Sequence, residues 1–353
     1  MMKVLQVITS LYVGGAEKLI VDMVPRYQEQ GIQVDVLLFN GVDTPFKEQL
    51  RKKGVRIYEL GRGNVYNPLY ILKLLPFFRR YDIVHTHNTA CQLFAALGSV
   101  LCSVVLVTTE HNTSNRRRDW WWYTWVDRWM YSRYQSIICI SNKAKDNLCS
   151  YIKNSKNIRT IYNGIDYQYF QSAQGNLLKK EKVIITMVAG FRYTKDQDTL
   201  IRAFQYLPTD KYDLWLVGDG ERREILKNLT IDLGIRNRVS FLGIRGDIPM
   251  ILKSSDIIVM SSHFEGLSLS SIEGMAVGRP FVASDVDGLH EITKDAGILF
   301  KQGDAKELAD IILQLMADKS YYQQIADRCQ RRAAEYDIRK TVDAYLDVYK
   351  NLV

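Results

Sequence analysis

Two glutamates eight residues apart, Glu265 and Glu273, flank a stretch that turns from strand to helix. Upstream, residues 257–260 form an apolar, strand-like run that ends in Ser261-Ser262. Glu265-Gly266 opens a turn, and Ser268 to Met275 reads as the first turns of a helix. A strand that enters a helix through glycine leaves backbone N–H groups unpaired at the positive end of the helix dipole, which suits a phosphate. Carboxylates beside such a cradle suit hydroxyls. With Glu265 before the helix and Glu273 about two turns inside it, the pattern fits a sugar nucleotide: amides for the diphosphate, carboxylates for ribose and sugar. Taken by itself, the same pair could be a helix cap and an exposed helix residue.

The elements that must carry these residues alternate between strand and helix. Apolar runs at 4–9, 34–39, 57–60, 82–85, 104–109, 136–141 and 158–163 predict the strands of a first domain. Runs at 182–189, 212–217, 239–243 and 257–260 predict those of a second. Alternation of this kind predicts doubly wound parallel sheets, whose ligands sit beyond the C-terminal strand ends. Polar residues cluster there. The first strand breaks at Gly14-Gly15 before a helix with Leu19, Ile20, Met23 and Val24 on one face. This is again an anion-receptive junction, although it lacks the G-x-G-x-x-G dinucleotide fingerprint. His85-Thr86-His87-Asn88 closes one strand and Glu110-His111-Asn112-Thr113 the next. The strand at 182–189 runs out into Gly190-Phe191-Arg192-Tyr193-Thr194-Lys195. His85 and His87 lack a third histidine or a cysteine cluster nearby, so they read as hydrogen-bonded residues at the sheet edge and not as metal ligands.

The run EGLSLSSIEGMAVGRPFVAS (265–284) resembles the donor-site signature of the retaining family-4 glycosyltransferases, built around E-x7-E on a GT-B fold. GGAE at 14–17 and GDG at 218–220 are also similar to that family's wording. The resemblance implies two Rossmann-like parallel-sheet domains facing across a cleft. These are an acceptor-side domain, 1–165, with the C-terminal helix 338–353 packing back on it, and a nucleotide-sugar domain, 166–337. It further implies that Gly14, Gly15, Gly266, Leu267 and Ser268 lie along the donor diphosphate, that Glu273 holds the ribose and that Glu265 holds the sugar. His111, in its T-x-H-N-T setting, resembles the family's cleft histidine, which contacts the donor sugar and the acceptor side; taken alone it could be a satisfied loop histidine. Lys195 matches a lysine that neutralises the diphosphate. The family's arginine is displaced, because Gly190 fills its slot and Arg192 stands two residues on. Such cations can stand in for a metal at the leaving group, so no metal or other cofactor is expected. The two D-x-D triplets, at 196–198 and 285–287, read as chance.

The composition is 47% hydrophobic and 24% charged over 353 residues, enough for two cores in a globular protein. Five cysteines without paired or metal-like spacing read as reduced thiols in a cytoplasmic protein. The N-terminus MMKVLQVITS reads as a strand and not as a signal peptide. The uncharged stretch 88–109 reads as a buried helix followed by a buried strand, not as a membrane span. The net charge of +8 is confined to the first half: residues 1–170 carry 22 Lys or Arg against 13 Asp or Glu, whereas the remainder carries 25 against 26. No nucleic-acid-binding motif is visible, so an anionic membrane surface is the expected partner of the basic half. Residues 115–134 support that expectation, with five Trp between 120 and 129 framed by Arg116, Arg117, Arg118, Arg128 and Arg133. Trp121, Trp125 and Trp129 share a helical face and are expected to pack in the core, leaving the rest for lipid or acceptor.

The expected function is transfer of a sugar, with retention, from a nucleoside diphosphate to a hydroxyl acceptor. The acceptor would be a lipid-linked or polysaccharide intermediate of bacterial surface-glycan synthesis, reached by an enzyme peripheral to the inner membrane face. Rival readings are a nucleotide-sugar epimerase on the same fold and a non-catalytic carbohydrate- or membrane-binding protein.

Overall fold

The computed structural model describes residues 1–12, 14–111, 120, 123–153, 156–175 and 181–353. It divides into two compact units, one made of Met1–Gly164 with Ile338–Val353, the other of Ile165–Asp337.

In the first unit the order is β1 (Lys3–Ile8), α1 (Gly15–Glu29), β2 (Gln33–Leu38), α2 (Pro45–Lys52), β3 (Ile57–Glu59), α3 (Leu69–Phe78) and β4 (Ile83–His87). It continues with α4 (Thr89–Gly98), β5 (Val105–Glu110), α5 (Tyr123–Ser132), β6 (Ser136–Cys139), α6 (Asn142–Ile152) and β7 (Ile158–Thr160). The seven strands are parallel, in the order β3-β2-β1-β4-β5-β6-β7. In the second unit α7 (Tyr167–Gln171) precedes β8 (Val183–Val188), α8 (Gln197–Ala203), β9 (Tyr212–Val217), α9 (Arg223–Asp232), β10 (Val239–Gly243) and α10 (Ile248–Ser254). After these come β11 (Ile257–Met260), α11 (Leu269–Ala276), β12 (Phe281–Ser284), α12 (Asp287–Thr293), β13 (Ile298–Phe300), α13 (Ala305–Ala317) and α14 (Lys319–Glu335). Its six parallel strands run β10-β9-β8-β11-β12-β13. The last helix, α15 (Ile338–Lys350), belongs to the first unit.

Both faces of each sheet are covered, which is why the strands are apolar almost throughout. In the first unit, Leu5, Val7, Leu37 and Leu106 face a core shared with α3 to α6, while Val4, Val36, Ile83 and Val107 face α1 and α15. The uncharged stretch after His87 is α4 followed by β5, and no described helix is long and apolar enough to cross a membrane. None of the five cysteines is in a disulfide.

Three expectations are corrected. β4 lies in the middle of its sheet, so His85 and His87 are not at an edge; both are buried. The polar segment 166–182 is not merely a linker: Asp166 caps α7, its carboxylate accepting from the Tyr169 N–H at 3.1 Å, and Phe170 is buried. One apolar anchor in a five-residue helix is too short a signal for periodicity. On α5 the buried residues are Asp127, Met130 and Tyr131, while Trp125 is 69% and Trp129 38% exposed. Spacing told that the two share a face, not which way the face points. Trp121, Trp122 and Arg116 to Arg118 lie outside the described residues.

Candidate active site

In each sheet the strand order reverses beside the first strand of its unit, between β1 and β4 and between β8 and β11. Loops leaving such a switch point diverge and open a crevice at the strand ends. Gly14, Lys195 and Glu265 are on those loops, while His111 follows the neighbouring β5 and Glu273 lies in α11.

In the second unit, the loop after β8 becomes a short 3-10 turn, Tyr193–Lys195, and the loop after β11 runs to Ser268, the N-cap of α11. The two are tied together. The His263 N–H donates to the Thr194 carbonyl at 2.9 Å, the Ser261 hydroxyl to the Asp196 carbonyl at 2.8 Å, and the His263 ring packs on Tyr193. Lys195 Nζ bonds a carboxylate oxygen of Glu265, whose side chain is largely buried. Ser268 Oγ accepts from the Ser271 N–H at 3.4 Å, and Gly266 and Leu267 lead into the helix. Glu273 stands just over one turn into α11, closer to its N-terminus than the two turns expected. Arg192 is exposed, and its Nε lies 3.9 Å from where a Cβ on Gly190 would be.

This geometry rests on glycines and on residues the sequence reading passed over. Gly218 (φ +133°) and Gly220 (φ +159°) pass under the β8 loop, where a Cβ would come within 2.1 Å of the Ala189 carbonyl oxygen and 2.5 Å of that of Phe191. Only glycine allows both the conformation and the approach. Gly288 lies against the Glu265-Gly266 turn, with 1.9 Å between its would-be Cβ and the Gly266 oxygen. Of the D-x-D residues, Asp196 caps α8 through the Thr199 N–H and hydroxyl, and Asp198 accepts two bonds at 2.8 Å from Arg222. Asp285 pairs with His290 at 2.6 Å. Among the described residues no three His, Cys, Asp or Glu side chains are grouped to hold a metal.

In the first unit, Gly14 caps α1 in extended conformation and Gly15 begins it. A side chain at Gly14 would collide with the Glu17 carboxylate, 2.3 Å away, which lies over this helix start. Period-two alternation puts Gln6, His85, His87, Thr109 and His111 on the sheet face toward α15. There they form a continuous chain. His111 Nε2 meets His87 Nδ1 at 2.9 Å, and His87 Nε2 meets Gln6 Oε1 at 2.7 Å. Gln6 Nε2 donates to the Tyr349 hydroxyl at 3.0 Å. Tyr349 reaches His85 Nδ1 at 2.5 Å, and His85 Nε2 meets Thr109 Oγ1 at 2.8 Å, which bonds Tyr345 at 3.0 Å. Burial pushes His85 down to about 3, His111 to about 4, and His87 well below the ordinary imidazole range. All three are neutral at pH 7.

Two family models divide the chain between them. "Glycosyltransferase Family 4" matches residues 13–169 and "Glycosyl transferases group 1" matches residues 170–335. The chain belongs to the GT-B glycosyltransferases. It is similar to the UDP-Gal:alpha-D-GlcNAc-diphosphoundecaprenol alpha-1,3-galactosyltransferase of Escherichia coli, 28% identical over 78% of this chain and 76% of that one. It is also similar to the N-acetyl-alpha-D-glucosaminyl L-malate synthase of Bacillus anthracis, 30% identical over 57% of this chain and 56% of the relative. Among solved structures, Anabaena HepE in complex with UDP-glucose superposes with a TM-score of 0.86 over 99% of this chain and 100% of the other, at 23% identity. That superposition shows the fold. The glycosyltransferase thus acts on nucleotide sugars in glycan synthesis. Its second unit brings Lys195, Glu265, Gly266, Leu267, Ser268 and Glu273 onto one pair of loops and one helix. Gly14, Gly15 and His111 are on the first unit, around its own switch point.

Proposed function

We propose that this glycosyltransferase moves a hexose, with retention, from a UDP-sugar to a hydroxyl of a lipid-linked saccharide, without a metal. The observation that carries the reading is the Lys195–Glu265 contact beside the N-terminus of α11. It holds a cation and a carboxylate on the two loops that meet ahead of α11, whose N-terminus suits an anion. A bound diphosphate would compete for Lys195 and free Glu265 for a sugar hydroxyl. Arg192 would take the part of the absent family arginine, since its guanidinium reaches back over Gly190. Glu273 would hold the ribose, His111 would orient a sugar hydroxyl, and amides at Gly14-Gly15 and Leu267-Ser268 would share the developing charge of the leaving group. The Escherichia coli relative, named for UDP-Gal and a diphosphoundecaprenol, supports the base and a polyprenyl-linked acceptor.

The same reading places the enzyme at an anionic membrane surface. Residues 61–157, which carry α3 to α6, hold 13 Lys or Arg against five Asp or Glu, and two of the five, Glu110 and Asp127, are buried. Leu69, Leu72, Val100, Leu101, Trp125 and Trp129 are exposed in this layer. Arg128 stacks on Trp125, and Arg133 donates to Ser99 at the end of α4. Aromatic rings and aliphatic tips among cations fit a headgroup region.

The test is release of nucleotide from a panel of UDP-, GDP- and ADP-sugars, with and without EDTA, followed by addition of a bacterial lipid extract. Release from a UDP-sugar that EDTA does not change, that Glu273→Ala abolishes and that lipid accelerates is the expected result. A requirement for metal, or a free nucleotide sugar with altered stereochemistry as product, would overturn it. The anomeric configuration of the product, read by NMR, decides retention.

A further inference from the structure

The chain of buried side chains behind His111 has a direction. Gln6 Nε2 faces the Tyr349 hydroxyl and Gln6 Oε1 faces His87 Nε2. An amide oxygen only accepts, so His87 must carry its proton on Nε2 and offer Nδ1 as a lone pair. That lone pair takes a proton from His111 Nε2, 2.9 Å away. A neutral His111 then has no proton left for Nδ1. This atom is shielded from solvent and has no hydrogen-bond partner among the described residues.

Reversing the Gln6 amide would reverse every bond in the row and put a proton on His111 Nδ1. Both arrangements keep each imidazole neutral, but they leave different orphans. The first leaves a bare acceptor and the second a buried N–H without a partner, which is the rarer and costlier defect. On the other side, Tyr349 completes the direction by accepting from Gln6 and donating to His85 Nδ1, whose Nε2–H donates in turn to Thr109. Among the described residues no carboxylate, lysine or arginine takes part in the row.

We propose that the row through His87, Gln6 and Tyr349 holds His111 in one tautomer, with the proton on Nε2 and Nδ1 left as a bare acceptor. Gln6, His87 and Tyr349 are positioning residues. The effect on turnover rests on the function proposed above; the tautomer itself does not. The row thereby links a residue in the last turn of α15 to the tautomer of a histidine just after β5.

The chain has five histidines, so long-range proton–nitrogen correlation spectra of protein labelled with nitrogen-15 in its imidazoles are simple enough to assign, with His111→Gln and His87→Gln as guides. The expected spectrum shows His111 and His87 each protonated on Nε2 and bare on Nδ1. Gln6→Leu removes the acceptor and should move both rings to averaged tautomer shifts. It should also lower kcat about three- to tenfold while leaving the donor KM within about twofold. If Gln6→Leu does not fold, Tyr349→Phe keeps the ring and removes only the hydroxyl, and should shift the same signals in the same sense. A wild-type His111 protonated on Nδ1, or tautomers unmoved in the variant that folds, would overturn the proposal. If the spectra are as expected but no sugar donor is turned over, the functional reading fails and the tautomer assignment stands.

Discussion

Lowering the pH from 7 to 5 should destabilise the first unit sharply. His85, His87 and His111 are held neutral by burial, so the unfolded chain binds protons that the folded one refuses. Their folded pKa values are depressed. The stability they contribute is therefore fully present above the unfolded imidazole pKa and is lost as pH falls from there toward the folded values of about 3 for His85 and about 4 for His111. With an unfolded pKa of about 6.5, each such group costs about 2 kcal/mol between pH 7 and pH 5. His85 and His111 together account for about 4 kcal/mol, and His87 adds in the same direction. That is a large part of the ~5–15 kcal/mol that keeps a typical domain folded. Glu17, whose pKa burial raises, works the other way as it gains its proton. Urea unfolding at pH 7, 6 and 5, followed by tryptophan fluorescence, measures the effect, because five of the six Trp residues fall between 120 and 129. Constant stability across that range, or a rise toward pH 5, would refute the reasoning.

Lys195→Ala should lower kcat about 10²-fold through loss of charge at the departing diphosphate, measured by single-turnover nucleotide release, with Arg192→Ala a smaller loss in the same direction. Gly288→Ala should cost about tenfold or more in donor affinity by forcing the Gly266 carbonyl aside, which calorimetric titration with UDP would show. Replacing Trp125 and Trp129 together by Ala should weaken binding to vesicles containing phosphatidylglycerol at least about tenfold, leave urea stability nearly unchanged because both rings are exposed, and have no counterpart with neutral vesicles.

The parallel architecture was legible because buried strands announce themselves as apolar runs, and residues 212–217, 239–243 and 257–260 were placed to the residue. β12 and β13 were not singled out. Phe281–Ser284 was absorbed into a motif, and Ile298–Phe300 has three residues, too few to show a period. The loop glutamates were visible through their spacing. Their dependence on Gly218, Gly220 and Gly288 was not, because a close approach between segments far apart in sequence leaves only a glycine behind. His85 and His87 were noticed as a pair, and their shared strand face follows from period two. The partners that make them a row, Gln6 and Tyr349, are 343 positions apart. The outward face of α5 was misjudged because Asp127, a charged residue, is what the helix buries.

The first sheet takes its last covering helix from the end of the sequence. On the ribosome the chain emerges from its N-terminus, at about 5–20 residues per second. The second unit, residues 165–337, is out of the exit tunnel before Tyr345 and Tyr349 can reach the sheet that His85 and Gln6 already line. The unit encoded first is therefore the unit finished last, and in the interval its α1-side face, with His85 and His87 on it, waits for Tyr345 and Tyr349.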